Sequence, residues 1–168
     1  MKVDLFSFVG LYAKGLDTLA NILTKGAEHA AATGVPESEL LAWKLAEDMF
    51  PLRRQAQIVC MFAAQWPARA AGLEAPPALE GESTLADLHA AIGDAKAYLA
   101  ALKPEQFEDR DDVPLTREIG ELKPTLPIGQ WVSGFATTNF YFHLSMAYAI
   151  LRTKGVPLGK RDFFAGGL

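Results

Sequence analysis

One cysteine and three histidines are all that this 168-residue chain has in thiol or imidazole groups. The single thiol, Cys60, excludes a disulfide framework and any cysteine-rich zinc site. Its place in the run Ile58-Val59-Cys60-Met61-Phe62 reads as a small packed hydrophobe rather than a nucleophile. Positive charge is not in excess: 16 Lys and Arg against 20 Asp and Glu leave a formal charge of -4, so no basic face for a phosphate backbone is expected and no nucleic-acid partner with it. No apolar run reaches the roughly 18 residues that a membrane span needs. The first segment is interrupted by Asp4, Lys14 and Asp17, which reads as an amphipathic helix rather than a signal peptide, and the expected location is the cytoplasm. What the chain does have is apolar content, 50% of its residues, enough for one well-buried core, so residues 1–168 are expected to form one domain.

Apolar residues recur at three- and four-residue steps in four stretches. The first runs from about Asp4 to Ala32 through Leu5, Phe8, Tyr12, Leu16, Leu19 and Leu23, and Gly34 with Pro36 breaks it. The second covers Glu37 to about Ala71, with a kink expected at Pro51 and an end at Gly72. The third starts at the cap Ser83-Thr84 and stops before Pro104, and the fourth extends from about Gly129 to Lys154 before Gly155 and Pro157. Between the last two lies an acidic arm, 105–128, in which Val113, Leu115 and Arg117 alternate and a short hairpin can form. The expectation is an all-α antiparallel four-helix bundle with one longer crossover.

Polar residues on the apolar lines are the candidates for function. The second stretch reads Leu41, Leu45, Asp48, Leu52, Ala56, Val59, and the fourth reads Val132, Ala136, Asn139, His143, Ala147, Ile150. Asp48, Asn139 and His143 are therefore expected to look toward the bundle axis, where bundles build cofactor and metal sites. The alternative is an internal network in which carboxylate, amide and imidazole satisfy one another. Asp48 could also serve backbone donors freed near Pro51, and Asn139 the backbone before its helix. Phe140, Tyr141, Phe142 and Tyr148 form an aromatic collar that reads as core or subunit interface, with Tyr141 beside Asn139 as a candidate substrate contact. His29 reads as a surface group near a helix end and His89 as a helix-boundary group. In the tail, Phe163 and Phe164 are expected to pack back on the bundle, and Lys160 with Arg161 are a weaker candidate for anion capture.

The segment Asn139-Phe140-Tyr141-Phe142-His143, followed by Ala147-Tyr148-Ala149-Ile150-Leu151-Arg152, by Gly155 to Phe163, and matched earlier by Asp48-Met49-Phe50-Pro51-Leu52, closely resembles an uncharacterised bacterial family. That family is a domain of unknown function in the DinB/YfiT-like superfamily, and the helix order matches over essentially the whole chain. The resemblance implies an up-down-down-up four-helix bundle, homodimers, and a metalloenzyme; better-known members are metal-dependent thiol transferases or hydrolases. Their usual triad is one histidine on the second helix and a His-x-x-x-His pair on the last. Asp48 stands in the region of the former, and Asn139 and His143 have the spacing of the latter, so one imidazole remains. An amide is a poor transition-metal ligand, and Asp48 with His143 would hold zinc or nickel weakly unless His89, Glu47 or an exogenous ligand completed the set.

Three functions follow as expectations. A hydrolase or thiol transferase would use Asp48 and His143 as metal ligands and acid or base, with Asn139 and Tyr141 orienting substrate. A degenerate, metal-free pocket would bind a small molecule without chemistry, no cofactor being tightly held. A structural homodimer would bury the three polar groups as a network and cover a partner with the arm.

Overall fold

The computed structural model describes residues 4–167 and is mostly helical. Four long helices, α1 (Ser7–Thr33), α3 (Leu52–Ala70), α4 (Leu85–Ala101) and α6 (Thr137–Thr153), share one core. The described residues also hold short helices α2 (Glu37–Ala42), α5 (Ile128–Gln130) and α7 (Lys160–Phe163), a 3-10 turn (Pro104–Phe107), a π turn (Trp131–Ala136) and a two-stranded hairpin. Helix α3 packs on α4 and α6, and α1 packs on all three. No helix among the described residues is long and apolar enough to cross a membrane.

The stripes predict the core well. Tyr12, Leu16, Leu19 and Ile22 of α1 are fully buried against Leu52, Val59 and Ala63 of α3, Leu88 and Leu99 of α4, and Phe140, Leu144 and Leu151 of α6. Helices α1 and α6 come together at Gly15, where an added Cβ would fall 2.4 Å from the Phe140 ring, so only glycine allows this approach. Helix α1 ends at Gly34 in the left-handed region, φ 74°, with the Val35 N–H returning to the Ala30 carbonyl at 2.8 Å. Helix α4 begins with the expected cap: the Asp87 N–H donates to Thr84 Oγ1 at 3.1 Å and the Thr84 N–H donates to the Asp87 carboxylate at 2.8 Å. The Thr84 hydroxyl, which donates to the same carboxylate at 2.7 Å, and then the Thr84 N–H hold the Asp87 carboxyl below its ordinary range.

The second stretch departs from expectation. It is two helices, α2 and α3, separated by an irregular segment, 43–51, and not one kinked helix. Pro51 has no N–H to give a preceding turn and disfavours the helical conformation at Phe50, so it opens α3 instead of bending it. Lys44 closes the segment by donating to the Glu47 carbonyl and carboxylate at 3.0 and 2.7 Å, and the Leu52 N–H returns to the carbonyl of buried Trp43 at 2.8 Å.

The arm does contain a hairpin, β1 (Pro114–Thr116) against β2 (Thr125–Pro127), with Leu115 opposite Leu126. Trp131 Nε1 donates to the Leu115 carbonyl at 2.8 Å and seats it on the last helical path. That path is not regular: the π turn Trp131–Ala136 lies between α5 and α6. Thr137 locks it, since both its N–H and its Oγ1 donate to the Val132 carbonyl five residues back, the latter at 2.8 Å. The one hydroxyl proton of Thr137 is thereby committed, so fully buried Tyr12 is the donor in the 3.1 Å contact between the two hydroxyls. Burial pushes the Tyr12 phenol well above its ordinary range, which keeps that proton in place.

Candidate functional site

Val132, Ala136, Ala147 and Ile150 of the expected line are buried, but between them α6 buries Phe140 and Leu144, each one residue after the expected Asn139 and His143. The run Asn139-Phe140-Tyr141-Phe142-His143-Leu144 supports two phases, and the larger apolar pair, Phe140 and Leu144, takes the centre. Asn139 and His143 are consequently half-buried at the edge of the core and do not point to the bundle axis. The Asn139 amide donates to the Phe135 carbonyl at 2.8 Å, serving the backbone of the preceding turn. Asp48 lies exposed in the 43–51 segment, not on a helix, and its carboxylate makes no hydrogen bond or ion pair among the described residues. The three expected groups are therefore not one network.

His143 instead meets a residue of α3. Gln55, 1% exposed, sits one turn into that helix, and its Nε2 donates to the Phe50 carbonyl at 3.1 Å. A carbonyl only accepts, so the amide nitrogen faces Phe50 and Gln55 Oε1 faces His143 at 2.7 Å. Oε1 also only accepts, so His143 Nδ1 carries the proton in that bond. In the neutral ring the lone pair is then on Nε2. That nitrogen makes no hydrogen bond among the described residues and is not sealed in the interior. Burial, with the Arg54 guanidinium as the second cause, holds the His143 pKa below its ordinary value of 6.5, so the ring is neutral at pH 7.

The surroundings are aromatic on two sides. The Phe62 and Phe142 rings lie 6.4 and 5.2 Å from the imidazole between centroids. Phe142, 51% exposed, is a large apolar group left at the surface beside the imidazole, and Phe50 joins the site through its carbonyl, which holds Gln55. Arg54 is half-buried and reaches Gln57 Oε1 only at a long 3.5 Å, so its charge is weakly engaged. A solvent-facing imidazole lone pair beside a guanidinium and an exposed ring can take a proton from, or attack, a molecule that carries an anionic group.

A metal is a poorer match to these residues. Among the described residues no three His, Cys, Asp or Glu side chains are grouped to hold an ion. The Asn139 amide is engaged with backbone, and Asp48 sits on an exposed turn. A three-ligand site of the kind the resemblance implies does not fit this arrangement.

The model of a family described as a domain of unknown function (DUF1993) matches residues 7–164. The chain belongs to that family. A solved structure, the crystal structure of a DinB family member protein from Shewanella denitrificans, is similar at 33% identity with a TM-score of 0.86, covering 93% of this chain and 88% of that one. This DUF1993 chain is thus DinB-like, as its sequence resemblance implied. No curated protein matches it.

In this DUF1993 member the sequence reading missed Gln55 and Arg54. Gln55 stands three residues after Leu52 and seven before Phe62, on the buried side of α3, so a polar residue in the core phase just after a proline was the available signal. Arg54 left no such signal. Tyr141 is on a different face of α6 from His143: with Leu144 it lines a cavity toward α1 and the tail. His29 and His89 are half-buried and belong to neither place. The tail packs back as expected through Phe163, 5.7 Å from the Tyr148 ring, while Phe164 stays 43% exposed. Its ion pair uses Asp162, 2.5 Å from Lys25, and Lys160 and Arg161 remain on the surface.

Proposed function

We propose that this chain is an antiparallel four-helix bundle of the DinB-like type whose working group is His143, a neutral imidazole that acts as base or nucleophile on a small anionic molecule. The observation that carries this reading is the chain of bonds from the Phe50 carbonyl through Gln55 to His143 Nδ1, which leaves the Nε2 lone pair outward. A ring held this way needs no reorganisation before it takes a proton. Arg54 supplies the positive charge that selects an anionic substrate, and exposed Phe142 supplies apolar contact.

The test uses 4-nitrophenyl acetate and its anionic counterpart, the 4-nitrophenyl monoester of succinic acid. The expected result is hydrolysis above the buffer rate that disappears in His143→Gln, shows a basic limb with an inflection below pH 6.5, and favours the anionic ester by a factor that Arg54→Gln removes. Hydrolysis at the buffer rate, or an unchanged rate in His143→Gln, would overturn the proposal. Elemental analysis of the same untagged sample decides the alternative that a bound zinc or nickel carries the chemistry. Near-stoichiometric metal lost with His143→Gln would make that alternative the better reading.

A further inference from the structure

The tail and the first half of α1 enclose a cavity of about 500 Å³ on the opposite side of α6 from the Gln55 contact. Its floor is α1 at Leu11 and Gly15, with exposed Gly10 at the rim, its wall is Tyr141 and Leu144 of α6, and its roof is Phe163 and Phe164. Three bonds fix the roof to α1: Thr18 Oγ1 donates to the Phe163 carbonyl at 2.8 Å, Asn21 Nδ2 to the Asp162 carbonyl at 3.2 Å, and Lys25 to the Asp162 carboxylate at 2.5 Å. The space is therefore bounded by an anchored element and not by a loose end.

Two features of the lining are unexplained by packing alone. Gly10 is an exposed helix-interior glycine at normal φ on the rim of the cavity, and a Cβ built on it meets nothing within 4 Å, so no neighbour requires glycine there. Gly15 contrasts with it, since the Phe140 ring forbids any side chain at that position. The Tyr141 hydroxyl is the other feature: it makes no hydrogen bond among the described residues, although its ring is half-buried in the wall. Desolvation pushes its phenol above the ordinary range, so it remains a donor at neutral pH. A partly desolvated donor without a hydrogen bond among the described residues, behind a mouth left clear by a missing side chain, is the arrangement of a small-molecule pocket.

We propose that this cavity binds a compact aromatic molecule bearing one hydroxyl or carbonyl group, its ring between Leu11, Leu144 and the Phe163–Phe164 pair and its oxygen on Tyr141. The volume lies within the ordinary range of small-molecule pockets and admits a fused two-ring body. The rings favour an aromatic body, because Phe163 and Phe164 already stand edge to face, with centroids 6.1 Å apart at 79°, leaving a ring face open to an offset partner. This site is independent of the His143 reading and survives its failure.

The probe is 1-naphthol, with naphthalene and decanoate as comparisons, titrated into the full chain and followed by amide chemical shifts. The expected result is saturable 1-naphthol binding with shifts centred on residues 7–18, 141–144 and 163–164. Gly10→Phe, which covers the mouth without a backbone clash, should weaken it at least tenfold while leaving the far-ultraviolet circular dichroism and melting temperature intact. Tyr141→Phe should weaken 1-naphthol by about two- to tenfold, one neutral hydrogen bond, and leave naphthalene unchanged. His143→Gln should change neither. Unchanged affinity in Gly10→Phe, no saturable binding in the parent, or binding of decanoate in preference to 1-naphthol would each overturn the proposal.

Discussion

Removal of the Thr137 hydroxyl is the perturbation whose cost the structure specifies best. Thr137→Val preserves shape, and the Val132 carbonyl keeps the Thr137 backbone N–H as a donor. What is lost is the acceptor for Tyr12, whose side chain is fully buried and has its hydroxyl 3.1 Å from Thr137 Oγ1. A buried donor left unsatisfied costs about 1–3 kcal/mol. Tyr12→Phe removes the donor itself and leaves Thr137 bonded to Val132 at 2.8 Å, so it should cost about 0.5–1.5 kcal/mol, an ordinary net hydrogen bond. The double variant has neither an orphaned donor nor a missing partner. It should therefore be more stable than the sum of the single effects by about 1 kcal/mol, well outside the few tenths seen for independent sites. Urea unfolding with a shared m-value measures this, and Thr137→Val alone should lower the melting temperature by about 2–12 °C for a chain of this size. Additive single effects, or a larger cost for Tyr12→Phe than for Thr137→Val, would refute the assignment of donor and acceptor. The relay bears on the site because the π turn adds a residue and so turns the following helix by about 100° relative to a regular path, which sets the direction in which His143 leaves α6.

Three further outcomes are expected. Asp48→Ala should change stability by no more than about 0.5 kcal/mol in the same assay, because the side chain is exposed and unpaired among the described residues. The pH dependence of stability should carry the His143 signature. Its folded pKa is lowered, so as pH falls the unfolded chain takes up the proton first, and the stability of the neutral ring is complete above about pH 6.5 and lost as pH drops below it. The fall in melting temperature from pH 7.5 to 5.5 should accordingly be smaller in His143→Asn than in the parent. Cys60 should resist a thiol reagent such as dithionitrobenzoate in native protein and react on unfolding, since burial pushes its thiol up to about 12; rapid native labelling would contradict the packing described.

Helix existence and the core were legible because burial is written in spacing. The stripes through Leu16 and Leu19, Val59 and Ala63, and Leu88 and Leu99 identified their buried faces, and Thr84 with Asp87 marked a start that the structure has. Pro51 was ambiguous for a physical reason: a proline either kinks a helix or opens one, and local sequence does not choose between them. Continuing one phase across it put Asp48 inward, whereas the chain leaves the helix at Trp43 and restarts at Leu52. The π turn was illegible, since it rests on Thr137 bonding five residues back, and periodicity assumes a constant 3.6. Within α6, two apolar phases competed, and the larger pair, Phe140 and Leu144, took the centre, with Phe140 seated against Gly15 of α1. His143 was found from sequence as one polar group in an apolar helix, but its partner was not, because Gln55 is 88 positions away and pairing at that distance is set by the fold.

The most direct measurement of the central claim is the tautomer of His143, read from two-bond proton–nitrogen correlations of the imidazole in uniformly labelled protein at pH 8. The account predicts a protonated Nδ1 and an unprotonated Nε2 in the parent, with that preference weakened in Gln55→Leu. A parent spectrum showing the proton on Nε2, or one indifferent to Gln55→Leu, would contradict the claim that Phe50 and Gln55 hold the lone pair of His143 outward.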